Sequence, residues 1–114
     1  MKYMLLIYES EALAQDADPG ELQKWFDVTE EMQEAGVMMA GDALQPTSAA
    51  TTVRVREGET LTSDGPFAET KEQLGGYYII DVADLDRALH WARKMPNVHR
   101  GSIEVRPVME FDQE

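Results

Sequence analysis

Asp64-Gly65-Pro66-Phe67-Ala68-Glu69-Thr70-Lys71-Glu72-Gln73-Leu74-Gly75-Gly76-Tyr77-Tyr78-Ile79-Ile80-Asp81-Val82 is the stretch on which the fold turns. It opens as a tight corner. Gly65 has no Cβ and accepts positive φ, while Pro66 fixes its own φ and keeps Gly65 out of helix. Asp64 is a turn carboxylate able to bond backbone just ahead of it. A charged bend follows, and from Tyr77 onward the chain is aromatic and β-branched, the composition of a buried strand. Tyr77 and Ile79 point to one side and Tyr78, Ile80 and Val82 to the other, so both sides are apolar. Gly75-Gly76 is no phosphate loop, because no Gly-Lys-Ser/Thr follows and no helix begins there. Glycines at that place permit a bulge or a close backbone approach.

Working outward, Met1 to Tyr8 repeats the two-faced pattern, with Tyr3, Leu5 and Ile7 on one side and Met4, Leu6 and Tyr8 on the other. Glu9 to Pro19 reads as loop. Its Asp16-x-Asp18 lacks the glycine and glutamate that a calcium loop requires. Gly20 to Ala35 reads as a helix burying Leu22, Trp25, Phe26, Met32 and Ala35, with Gly36 as its left-handed cap. Val37 to Ala40 is a short strand, and Thr51 to Ser63 a hairpin turning at Glu57-Gly58. Asp84 caps a second helix to Met95, with Leu85, Ala88, Leu89, Ala92 and Met95 as its buried stripe. Ser102 to Phe111 is the last strand, and Pro107, which has no N–H, places it at a sheet edge.

The order is β-α-β, hairpin, β-α-β. Without the hairpin this is the split βαβ repeat, so the expected fold class is α+β, ferredoxin-like, with an inserted hairpin. Right-handed crossovers put both helices on one face. The other face is then bare and apolar, and its simplest cover is a second copy packed sheet on sheet, so the pattern predicts a homodimer.

A chain of 114 residues is one domain, 1–114, able to bury a single core. It has no cysteine, which excludes disulfides and thiolate metal sites. Its 10 basic and 22 acidic residues give a net charge of −12, which repels phosphate and argues against direct nucleic-acid binding. No apolar run is long enough to span a bilayer, and the six-residue run Tyr3 to Tyr8, followed by Glu9 and Glu11, is too short for a signal peptide. The expected location is the cytoplasm.

Asp64 to Glu72, Gly75-Gly76-Tyr77-Tyr78, the opening Met1 to Tyr8, the hairpin Thr51 to Arg56 and the ending Glu104 to Phe111 together resemble the YCII-related proteins of the DGPF subgroup. The likeness covers nearly the whole chain. It implies a bacterial cytoplasmic protein with a dimeric α+β barrel, and a cleft between the sheet's open face and the helices or the partner chain. Related barrels include muconolactone isomerases and small monooxygenases. The wider family's suspected acid–base pair, a histidine on the first helix and an aspartate, is only half present. The first helix begins Glu21-Leu22-Gln23-Lys24-Trp25, which leaves Asp64 alone. The likeness also suggests a role beside an extracytoplasmic-function sigma factor.

Asp64 is thus the catalytic candidate, as an acid–base group, against the plainer role of tying its corner. Lys71, Arg106 and Arg56 are the candidate clamps for an anionic ligand, each with the alternative of an ordinary surface or ion-pair residue. Of Tyr77 and Tyr78, one packs in the core and the other lines a pocket; Tyr78 is the ligand-binding candidate. His90 and His99 have no metal-ligand spacing, so no metal and no cofactor is expected. Three readings follow. One is a homodimer binding a small anionic metabolite at the open sheet face, with acid–base work by Asp64. A second is a non-catalytic adaptor of a sigma factor. A third is a structural dimer whose corner motif only fixes the fold.

Overall fold

The structure, a computed structural model, describes residues 1–14 and 18–111. Asp16, and with it the Asp16-x-Asp18 pattern, lies outside the described residues. The main sheet holds β1 (Lys2–Glu9), β2 (Met38–Ala43), β5 (Gln73–Asp81) and β6 (Ser102–Pro107) in the order β2-β5-β1-β6, antiparallel throughout. This order is compatible with the ferredoxin-like plan. Three helices are described: α1 (Glu11–Ala14), α2 (Glu21–Glu34) and α3 (Leu85–Ala92). The strands β3 (Thr51–Arg56) and β4 (Glu59–Asp64) form a separate two-stranded arm.

The core lies between the sheet and the α2/α3 layer. Tyr3, Leu5 and Ile7 of β1 and Tyr78 and Ile80 of β5 meet Val28 and Met32 of α2 and Ala88, Trp91 and Ala92 of α3. Strand alternation puts all five sheet residues on one face. Leu5, Met32 and Ile80 are completely buried, each contributing about 1.5–3 kcal/mol by leaving water. Gly75 sits at the bulge where the β1–β5 register shifts between Ile7 and Tyr8. A Cβ on Gly76 would stand 3.0 Å from the Asp42 carbonyl, so a larger residue there would push the β2 backbone aside by a few tenths of an ångström. Here β5 begins at Gln73, four residues before the aromatic run.

Helix ends follow local chemistry. At the end of α2 the Gly36 N–H donates to the Gln33 carbonyl and the Val37 N–H to the Met32 carbonyl, a Schellman pair around a left-handed Gly36. The Asp84 carboxylate accepts the Arg87 N–H at 2.9 Å and starts α3. The buried face of α3 and its C-terminal turn is Ala88, Trp91, Ala92 and Met95, a strict i, i+3, i+4, i+7 set. Leu85, expected in that stripe, is exposed one turn ahead of it, and Trp91, not expected there, is buried.

Three further expectations are corrected. The segment after β1, read wholly as loop, holds α1, whose Glu11 accepts both the N–H and the hydroxyl of Thr47. The last strand stops at Pro107 instead of Phe111, because its neighbour β1 begins at Lys2, whose carbonyl takes the last bond from the Val108 N–H at 2.9 Å; Met109 and Phe111 lie exposed beyond it. The arm turns at Glu57 and Gly58 with φ of 53° and 79°, as expected of a type I′ hairpin. Its root, however, is not tied by Asp64. The Gly65 N–H donates to the Ala50 carbonyl at 2.7 Å and the Thr52 hydroxyl to the Gly65 carbonyl at 2.8 Å, and the Asp64 carboxylate accepts no hydrogen bond among the described residues.

Among the described residues no helix packs on the sheet's second face. Its middle is half-buried Met4, Leu6, Tyr8 and Ile79, and its edges are polar. On one edge Arg106 pairs with Glu104; on the other the Tyr77 hydroxyl donates to Asp42 at 2.7 Å. The face is oily along its centre and charged along both borders.

Candidate functional site

Leu22, Trp25, Phe26 and Thr29 of α2 line the space between that helix and the sheet. Further along, Val28 and Met32 reach the core and close against it. Nearer the N-terminus the helix and the β2–β5 edge do not meet, and a cleft of about 350 Å³ opens between them. That size fits a small organic ligand. Leu22 and Phe26, read from sequence as core, are 63% and 59% exposed, because nothing stands opposite them. Trp25 packs on the core and also forms part of the cleft wall.

The floor is backbone. Gly41, Gly75 and Gly76 present no side chains, and Gly41 is required: a Cβ there would lie 2.5 Å from the Tyr78 ring. Asp42 and Tyr77 also border the cleft, but their side chains pair on the far face of the sheet. Asp42 raises the Tyr77 pKa, first through that hydrogen bond and then through its charge.

The polar side chains are few. The Thr29 hydroxyl spends its single proton on the Trp25 carbonyl at 2.8 Å. The 2.7 Å contact between Thr29 Oγ1 and Tyr78 Oη is therefore donated by Tyr78. This leaves the Tyr78 oxygen as an acceptor on a side chain that is otherwise 9% exposed. At the other end stands Glu9. Arg100 binds it at 2.7 Å through Nε and binds Glu21 through both terminal nitrogens, at 2.5 and 2.6 Å. The Glu21 hydrogen bonds raise the Arg100 pKa above its already high ordinary value; burial, the next effect in size, opposes them, and Glu9 adds to the rise by hydrogen bond and charge. Two carboxylates thus share one cation, and the group is net negative. It ties the end of β1 and the start of α2 to the loop after α3.

Of the sequence candidates, Tyr78 lines this cleft and Asp64, Lys71, Arg56 and Arg106 do not. Asp64 pairs with Thr51 at the root of the arm and Arg56 with Glu59 at its tip, about 17 Å away at strand rise. Arg56 donates to the Val55 carbonyl, and Lys71 is exposed in the bend before β5. Arg106 is on the opposite edge strand, and Glu104 raises its pKa by hydrogen bond and by charge. No hydrogen bond or ion pair among the described residues joins any two of these five. The cleft itself lies on the helix side of the sheet, across from the bare face where the sequence reading put it. Glu9, Thr29 and Arg100 were not picked out from sequence. The contacts that give them meaning span 49 to 91 residues, and only the residue types on α2 hinted at them.

Among the described residues no group of three or more His, Asp or Glu could hold a metal ion, and no helix is long and apolar enough to cross a membrane. Comparison with known proteins finds two likenesses. The sequence model of the YCII-related domain matches residues 1–112. A protein of Rhizobium meliloti (strain 1021), described only as uncharacterized, is 43% identical over 114 aligned residues, covering 95% of this chain and 92% of that protein.

Proposed function

This chain belongs to the YCII-related domain family, and from that premise we propose that it binds a small, largely apolar molecule in the cleft between α2 and the β2–β5 edge, as a homodimer. The observation that carries the reading is the cleft. Its walls are aromatic and aliphatic, its floor is bare backbone, and one oriented hydroxyl pair stands in it. Apolar lining with few placed polar groups is the ordinary build of a ligand site. The reading assigns binding rather than turnover. Glu9 is held by Arg100, and Asp64, the acid–base candidate, stands on the arm. The nine-residue corner Asp64 to Glu72 supports the finer placement in the DGPF subgroup.

The homodimer reading rests on the bare sheet face. The chain is a slab 18 Å thick, one sheet and one helix layer, with Met4, Leu6 and Ile79 half-buried on the uncovered side. A contiguous apolar strip of this kind on one side of a two-layer slab calls for a cover. Sedimentation of the wild type gives twice the chain mass, and Leu6→Glu gives a monomer; a wild type that sediments as one chain at micromolar concentration overturns the dimer.

The cleft is tested by titrating 2-phenylethanol while following backbone amides by NMR. Shifts gather at Thr29, Gly41 and Gly75. Ala43→Trp, an exposed position on the cleft wall, plugs the site and abolishes them. Shifts that survive the plug, or that gather elsewhere, refute the reading.

A further inference from the structure

The hydrogen-bond inventory of the cleft is one-sided, and this says what kind of head group its ligand carries. Thr29 has no proton left, since the Trp25 carbonyl takes it. Tyr78 has spent its proton on Thr29 and keeps only lone pairs. Glu9, when ionised, only accepts, and one of its oxygens, Oε2, is taken by Arg100. The remaining side-chain donor in the wall is the Trp25 indole N–H. Arg100, the cation bound to Glu9, is divided between Glu9 and Glu21, so the three together carry one negative charge.

An anionic ligand meets no unspent cation here and faces a carboxylate. A ligand with protons to give meets two waiting acceptors. Around them stand three aromatic rings, Trp25, Phe26 and Tyr78, whose faces are negative and attract cations. Carboxylate and aromatic walls around an apolar cleft make a combination suited to ammonium recognition.

We infer that the ligand is an organic amine, bound as its ammonium ion, with the head group on Glu9 and the apolar body along Leu22, Trp25 and Phe26. This rests on the binding reading above and narrows it to a chemical class. It replaces the anionic ligand expected from sequence, since Lys71, Arg56 and Arg106, the cations that suggested an anion, all stand away from the cleft.

The test uses three molecules that share one ring and differ in the head: 2-phenylethylamine, 2-phenylethanol and 3-phenylpropionate, titrated calorimetrically into the unmodified protein near pH 7. The amine binds about tenfold tighter than the alcohol, the size expected of a charge-assisted contact among aromatic faces, and the carboxylate is the weakest of the three. Glu9→Gln removes most of the preference for the amine and leaves the affinity for the alcohol in place. The alcohol result serves as the control for that variant's folding. If alcohol and amine bind alike, or the carboxylate binds best, the amine class is overturned and the cleft reading stands. If none of the three binds at millimolar concentration, both fall.

Discussion

The two faces of the main sheet are made by the same strands and share the same apolar character, yet they end differently. On the helix side Tyr3, Leu5, Ile7 and Ile80 are buried against α2 and α3. On the other side Met4, Leu6, Tyr8 and Ile79, each next door in sequence, are only half-buried, between an Arg106–Glu104 border and a Tyr77–Asp42 border. Side-chain composition does not explain the difference; coverage does. A strand supplies two faces at once, and one chain with both α2 and α3 on the same side can cover one of them.

The largest expected effect tests this directly. Leu5→Ala opens a cavity in a fully enclosed site and costs about 2–5 kcal/mol of stability. Leu6→Ala, one residue on and facing the other way, costs under about 1 kcal/mol when urea unfolding is run at a concentration low enough to favour single chains. At high concentration the proposed dimer makes Leu6 a buried residue, and its cost rises. Equal costs at low concentration would mean that the bare face is closed within one chain, and the contrast between the faces would collapse.

Much of this contrast was legible in the residues themselves. Strict alternation in Met1 to Tyr8 and Tyr77 to Val82 shows which side chains share a face. Asp84, Gly36, Gly58 and Pro107 announce a cap, a helix end, a hairpin turn and an edge through their own backbone chemistry. The cleft was not legible. Apolar spacing on α2 groups Leu22, Trp25 and Phe26 with Met32, but periodicity reports only direction, and how far the opposite layer reaches along the helix is set by where β2 and β5 end. The Glu9–Arg100–Glu21 group was hidden for a related reason: three charged residues scattered along the chain meet only once the sheet is assembled. Asp64 shows the opposite error. Its turn was readable, but the corner is braced by backbone and Thr52, leaving the carboxylate nothing to tie.

An intermediate effect separates the neighbouring tyrosines. Tyr78→Phe removes a hydrogen bond from a nearly buried hydroxyl pair and leaves the Thr29 oxygen with one partner fewer, at a cost of about 1 kcal/mol. It also removes an acceptor from the cleft wall. Tyr77→Phe breaks an exposed bond to Asp42 and leaves stability nearly unchanged, with no effect on ligand binding in the cleft. If Tyr77→Phe were the costlier change, the bare face would be the more constrained of the two, and the cleft would lose its claim to the oriented hydroxyl.

The smallest effect is a titration, and it probes the bare face alone. The Tyr77 phenol donates to an ionised Asp42, and both the hydrogen bond and the negative charge hold the proton on, so the pKa lies above the ordinary tyrosine value of about 10. The sign follows from which form is favoured. The protonated phenol is stabilised in the folded chain, so its contribution is whole below the unfolded pKa and is lost as pH rises through the higher folded one. Ultraviolet difference titration, with Tyr77→Phe identifying the phenol, should show Tyr77 ionising late. Asp42→Asn removes the charge and brings the transition back toward the ordinary value, while the helix-side core, which contains neither group, is left as it was. A Tyr77 that titrates at the ordinary value in the wild type would mean that its bond to Asp42 does not persist in solution. The β2 border of the bare face would then be open to solvent.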